Sequence, residues 1–382
     1  MRLLFAALLL AGVAGCASAP PLRSPEPLFD DALFAPPARP VASDAVFELS
    51  EPMRRYLDEK IAPEVRRQGR QVGLAEALYR KGELRLDYES TFTRSAVEAF
   101  DARSGNCLSL VLMTAAFAKA LGLEVRYQNA YLEETWSRSA DLLVRSGHIN
   151  VTLGPRLIDM GTTRTISPLT IDFLPVGEIR GMRIEEIDEA TVVAMYLNNR
   201  AVELLVDGHV DDAYWWARDA VRRAPGFAGG YITLGVLYAR RGADTRAAEA
   251  FTRALERDAV NTQALANLAS AYQRLGRQAD AADLQRRLAR LESRMPFQDF
   301  QRGVAAMKRQ DYQTARTLFE KEVKRADYYH EFHYWLALAN YQLGALDEAR
   351  LHLARAMETS TARGDRDLYA AKLAWLRAHG AH

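Results

Sequence analysis

One interval governs the second half of the chain. Ala213, Ala247, Ala281, Ala315 and Ala349 recur every 34 residues, and Gly208, Gly242, Gly276 and Gly344 keep the same beat five residues earlier. A small residue and a glycine in fixed phase at this period describe paired antiparallel helices, with the small residue where helices cross and the glycine in the turn. Such a unit cannot bury its apolar face alone, so the units must stack. Five units in phase require an all-α solenoid over residues 194–361.

The unit from Ala228 to Asn261 carries the pattern most fully, with Leu234, Gly235 and Tyr238 on the first helix, Gly242 at the turn, and Ala247, Phe251 and Ala254 on the second. The next unit repeats it with Leu268, Ala269, Tyr272, Gly276, Ala281 and Leu288. These residues resemble the tetratricopeptide repeat. The outer units drift: Pro225 follows the second helix of the first unit, Gln310 replaces the turn glycine of the fourth, and Asn340 stands at the helix-tyrosine position of the fifth. A helix from about Asp365 to Arg377, with Leu368, Leu373, Ala374 and Leu376, is expected to cap the stack within residues 362–382. The resemblance implies a groove that binds a protein or peptide. Arg240 with Arg241, and Arg286 with Arg287, fit solvated helix surface. Tyr328, Tyr329, His330 and His333 fit helix packing, since Glu331 is the only carboxylate between the two histidines; no metal site is expected.

The first residues, MRLLFAALLLAGVAGCASAPP, set Arg2 ahead of an apolar run that is too short to span a bilayer and ends in small residues, the pattern of a cleaved signal. Val13, Ala14, Gly15 and Cys16 resemble the lipobox of bacterial lipoproteins. That resemblance implies a signal over residues 1–16, a lipid on Cys16 and membrane attachment. Ala17 after the cysteine implies the outer membrane, facing the periplasm. Residues 17–47 are proline-rich and are expected to form an extended tether. What remains, roughly 330 residues, exceeds one core, so a further domain is expected over residues 48–185. With 50 basic and 49 acidic side chains and no basic cluster, nucleic acid is not an expected partner.

Within that domain, Leu108 to Leu121 is apolar on nearly all sides, as in a helix running through a core, with Gly122 as its stop and Gly105 and Asn106 as the turn into it. Cys107 falls in its first turn, where unpaired N–H groups favour a thiolate and could hold an oxyanion. With Cys16 lipidated, Cys107 must be buried, reactive or paired between chains. The first half offers one histidine, His148, in a strand whose polar side carries His148, Asn150 and Thr152. Gly154 and Pro155 suggest a hairpin in which Leu153 pairs with Arg156. Asn150 then faces Asp159, diagonal to His148. The segment Glu124 to Tyr131 alternates too and is expected to add a strand.

A helix headed by cysteine, followed by strands bearing histidine and then aspartate, resembles the papain-related transglutaminase-like superfamily over residues 85–165. The resemblance implies an α+β domain ahead of the all-α repeat solenoid and a triad of Cys107, His148 and Asp159. The thiolate would attack a carboxamide or peptide carbonyl to give a thioester that water or an amine resolves, without metal or organic cofactor. Ile149, Asn150 and Met160 depart from the family's usual neighbours. For a second oxyanion donor Tyr88, Thr91 and Asn106 stay open. Two functions follow: a cysteine acyltransferase or amidase coupled to a binding array, or a non-catalytic assembly lipoprotein in which both domains bind protein.

Overall fold

The computed structural model describes residues 23–38, 40–41, 43–80, 84, 86–89, 92–131, 136–139, 142–145, 148–154, 168–173, 183–292, 298–360 and 363–379. The first domain begins with the short helices α1 (Glu51–Tyr56), α2 (Ala62–Gln68) and α3 (Arg70–Ala75). A parallel pair, β1 (Asp87–Tyr88) with β2 (Ser104–Gly105), brackets α4 (Ala96–Ala102). Helix α5 (Cys107–Ala120) follows, buried from Leu108 to Ala118 as its lack of a polar face requires. Gly122 stops it at φ 67°.

Four antiparallel strands form the main sheet in the order β7-β6-β3-β8: β3 (Val125–Tyr131), β6 (His148–Leu153), β7 (Leu169–Ile171) and β8 (Arg183–Ile187). A separate hairpin pairs β4 (Trp136–Ser139) with β5 (Leu142–Arg145). Register fixes which row meets α5. Tyr127 lies opposite Val151, touches the Phe47 ring, and donates to Glu189, the same carboxylate that Lys119 of α5 salt-bridges. The row of Tyr127, Ile149, Val151 and Leu153 therefore joins the α5 core.

One expectation of the ladder is corrected. Leu153 pairs with Leu169, and Val151 with Ile171, so the β6 edge expected to receive Arg156 is taken by β7. Asp159 lies outside the described residues.

The repeat half is a run of helix pairs: α6 (Glu189–Val206) with α7 (Val210–Arg223), α8 (Ala228–Arg240) with α9 (Asp244–Arg257), α10 (Thr262–Arg274) with α11 (Gln278–Glu292), α12 (Gln298–Lys308) with α13 (Tyr312–Arg325), and α14 (His330–Gln342) with α15 (Leu346–Thr359). Helix α16 (Arg363–His379) closes the run, with Leu373 and Leu376 against Ala349 and Leu353. The small residues at the crossings are a steric need: a Cβ on Gly235 would sit 2.5 Å from the Phe251 ring, and one on Gly303 2.5 Å from the Phe319 ring.

Thr93, 2 % exposed, joins the halves. Its N–H donates to Glu203 Oε1 at 2.7 Å, and its hydroxyl accepts from Asn199 at 3.1 Å on α6 and from Asn106 at 2.9 Å ahead of α5. The proline-rich segment expected to be an extended tether also differs. Leu28 and Phe34 are buried in one core with Tyr214, Tyr231 and Tyr238 of the repeats. Proline keeps this segment from forming a long helix, and its large apolar side chains give it a reason to dock.

Candidate peptide-binding site

Residues 26–38 cross α7, the end of α8 and the start of α9 as an extended strap with two short 3₁₀ turns, Glu26–Leu28 and Asp31–Leu33. Its anchors are apolar. Leu28 is fully buried, and the Phe34 ring stacks on Tyr214 with centroids 3.9 Å apart and planes 4° apart. Burying a side chain of this size contributes about 1.5–3 kcal/mol, enough to hold a segment whose own backbone makes few bonds.

The strap's backbone is read by side chains of the repeats. The Tyr238 hydroxyl donates to Leu28 O at 2.7 Å and accepts from Asp30 N at 2.9 Å. Ala35 N donates to Asp211 at 3.0 Å and Ala38 N to Asp212 at 2.8 Å, while Trp215 Nε1 donates to Ala35 O at 2.7 Å. Arg246 donates to Pro27 O at 3.0 Å. Peptide recognition through the main chain is thus built in.

Charge selects the side chains. Glu26 meets Arg222 through two bonds of 3.0 and 2.8 Å, Asp31 meets Arg218 at 3.0 Å, and Asp30 lies 3.6 Å from Arg246. The Arg222 guanidinium holds the Glu26 carboxyl below its ordinary range. Burial first, and then the hydrogen bond to Asp31, push the Tyr214 hydroxyl up, so it stays a neutral donor at 2.6 Å from Asp31 Oδ1. The groove accepts an acidic, aromatic, extended segment.

Cys107, at the first position of α5, is a half-buried thiol. Asn106 caps the helix: its Oδ1 accepts from Ser109 N at 2.9 Å and from the Ser109 hydroxyl at 2.8 Å, and its amide is given to Thr93. Asn106 is therefore committed to the cap, and Thr91 lies outside the described residues. His148 opens β6, where it pairs with Ala130 of β3. Two carboxylates lie level with Asn150 among the described residues: Asp172, whose Oδ2 accepts from Asn150 Nδ2 at 3.1 Å, and Glu186, which pairs with Gln128 opposite Asn150. Sequence reasoning missed Asp172; the signal was LTIDF, a short alternating strand ending in an aspartate.

The histidines of the last unit pack as helix surface. His333 Nε2 meets Asp327 O at 2.8 Å and its Nδ1 meets His352 Nδ1 at 3.1 Å; His330 Nδ1 meets the Tyr369 hydroxyl at 2.8 Å.

A family model described as the tetratricopeptide repeat matches residues 232–296 and 300–364. The C-terminal half is a tetratricopeptide-repeat array. Among solved structures the chain is similar to YrrB, described as a tetratricopeptide-repeat protein with an unusual peptide-binding site, at 18% identity and TM-score 0.26, over 47% of this chain and 92% of that one. It is also similar to a thermophilic repeat protein of Thermus thermophilus, at 21% identity and TM-score 0.28, over 47% and 98% of the respective chains. A third likeness is MamA, at 19% identity and TM-score 0.24, over 42% and 93%. No curated protein matches the chain. In tetratricopeptide terms, the strap fills the groove formed by the second helix of the first repeat with the second repeat.

Proposed function

We propose that this protein is an envelope lipoprotein that acts as a protein-binding scaffold, its repeat array capturing an extended segment of a partner. The observation that supports the reading is the strap: the array already holds an extended peptide by main-chain hydrogen bonds, apolar anchors and paired charges. A lipid on Cys16 would hold the array at the outer membrane, facing the periplasm. Arg23 follows Cys16 by seven residues, so the docked strap would keep the second repeat within about 25 Å of the lipid, at 3.3–3.6 Å per residue. Palmitate labelling that is lost in Cys16→Ser supports the anchor, and unchanged labelling refutes it. For the array, a photo-crosslinking residue placed at Leu275 in living cells is expected to give a protein adduct. The absence of an adduct there overturns the scaffold.

A finer reading gives the first domain thiol chemistry, with Cys107 as the nucleophile, His148 as the proton carrier and a carboxylate to orient it. Cys107 at the head of a buried 14-residue helix favours it. The carboxylate is Asp159 by the family resemblance; Asp172, bonded to Asn150, is a further candidate. The rate of Cys107 alkylation against pH tests it: fast reaction below neutral pH that slows in His148→Ala supports a tuned nucleophile, and a thiol that reacts only on unfolding leaves the scaffold alone.

A further inference from the structure

Thr93 is held from two sides. Helix α6 of the first repeat meets each of its polar groups: Glu203 accepts its N–H at 2.7 Å, Asn199 Nδ2 donates to its hydroxyl at 3.1 Å, and Arg200 Nη1 lies 3.5 Å from its carbonyl oxygen. The Glu203 carboxyl, pushed up by burial, is held back by hydrogen bonds from both the N–H and the hydroxyl of Thr93. On the other side, the Asn106 amide donates to the same hydroxyl at 2.9 Å. With two donors on its oxygen and its proton toward Glu203, this hydroxyl has no capacity left.

Those bonds decide which way Asn106 faces. An asparagine amide offers an acceptor on one side and two donors on the other. Thr93 Oγ1 has room only for a donor, so the NH2 group turns to it. Oδ1 then turns to helix α5, where it takes the Ser109 N–H at 2.9 Å and the Ser109 hydroxyl at 2.8 Å. Ser109 Oγ in turn accepts from the N–H of Arg94, the residue after Thr93, at 2.8 Å. Cys107 lies between the two ends of this cap. A flipped amide would set Nδ2 against the Ser109 N–H and undo it. The charges beside this cluster are already matched, Glu203 by Arg200 at 3.0 Å and Glu89 by Arg94 at 2.9 Å. The cluster therefore reaches the thiol through the end of the helix, whose first-turn N–H groups favour a thiolate, rather than through a net charge.

We propose that Thr93 is a positioning residue for the Cys107 thiol and that helix α6 of the array sets it, so that the first repeat completes the cap on which the thiol's reactivity depends. This rests on the thiol reading of Cys107. It adds that the array is part of the thiol site, because it holds the head of the helix that carries the nucleophile.

The test is the rate of iodoacetamide alkylation against pH on the full-length protein in detergent, read by mass spectrometry on the tryptic peptide Ser104–Lys119, which leaves Cys16 out. The parent is expected to react fast below about pH 7. Thr93→Val keeps the shape and removes the hydroxyl; it should slow the reaction near neutral pH by about fivefold and move its midpoint toward the ordinary thiol value of about 8.5. Thr93→Ser should keep the parent profile, and Asn199→Ala, on α6, should shift it in the direction of Thr93→Val. Gly235→Ala, whose methyl meets the Phe251 ring in the second repeat, is the control for lost stability and should leave the profile in place. Should Thr93→Val not fold, Asn199→Ala carries the comparison. With a fast parent thiol, an unchanged profile in folded Thr93→Val or in Asn199→Ala, or an equal shift in Thr93→Ser or Gly235→Ala, overturns the inference and leaves the thiol reading standing. A parent thiol with an ordinary profile, or one that reacts only on unfolding, overturns both.

Discussion

Phe34 lies flat on Tyr214, and the same tyrosine donates its hydroxyl to Asp31 three residues earlier in the strap. One repeat side chain therefore reads both an apolar anchor and a carboxylate of a segment some 180 positions away in sequence. The strap is part of the folded core of the array. Phe34→Ala is expected to cost about 3 kcal/mol, the range for removing a buried aromatic ring. Limited proteolysis should then cut between residues 24 and 38 before any repeat is lost; cleavage no faster than in the parent would contradict the docking.

Glu203 ties the first repeat to the loop that caps the Cys107 helix. Its Oε1 accepts from the buried Thr93 N–H, its other oxygen pairs with Arg200 at 3.0 Å, and burial raises its pKa. Glu203→Ala leaves the Thr93 N–H without an acceptor and is expected to cost about 1–3 kcal/mol, while Glu203→Gln keeps an acceptor and should cost less. The check is denaturant unfolding followed separately in the two halves. Equal losses for both variants would argue that the charge, not the hydrogen bond, makes the junction.

The fifth unit carries a pH response. Asp327 O can only accept, so neutral His333 donates from Nε2, and its Nδ1 accepts from His352 Nδ1–H. Burial holds both histidines below their ordinary pKa. A depressed folded pKa means that the unfolded state takes up protons first as pH falls. The stability these histidines lend is therefore present above the ordinary histidine pKa and lost below it. Thermal unfolding of the last repeats is expected to shift down between about pH 8 and about pH 5, and His352→Gln should flatten that slope. An unchanged slope in the variant would place the response elsewhere.

Gln310 takes φ 63° in the turn between α12 and α13, where the equivalent turns use Gly208, Gly242, Gly276 and Gly344 at φ between 74° and 85°. A side chain in this left-handed conformation costs about 1 kcal/mol, part of which glycine's freer unfolded chain offsets. Gln310→Gly is expected to raise stability by about 0.5 kcal/mol in denaturant unfolding, and a loss would mean that the glutamine side chain makes a compensating contact.

The repeat half was legible in the sequence because its physics is periodic: one crossing residue and one turn residue per 34 positions determine where each helix begins and ends, down to the capping helix. The buried helix after Cys107 was legible for its lack of polar positions, and β3 and β6 for their alternation. The partner of β6 was not, since strand pairing is set by tertiary packing, and the nearest turn signal, Gly154 and Pro155, pointed to Arg156 when Leu169 holds the edge. Docking of the strap was not legible from its proline density, which argues only for an extended chain. Leu28, Phe29 and Phe34 among carboxylates, opposite Arg218 and Arg222, were the signal that it docks.

The most direct test of the central claim, that the array binds an extended peptide and that its own strap fills the first groove, is competition in trans. A fluorescent peptide of residues 23–38 is titrated into the full-length protein and into the double variant Leu28→Ala, Phe34→Ala, whose strap has lost its anchors. The account predicts that the variant binds the peptide at least about tenfold more tightly than the parent, and that Tyr238→Phe in the variant weakens it again. Equal binding by parent and variant, or none by either, would contradict it.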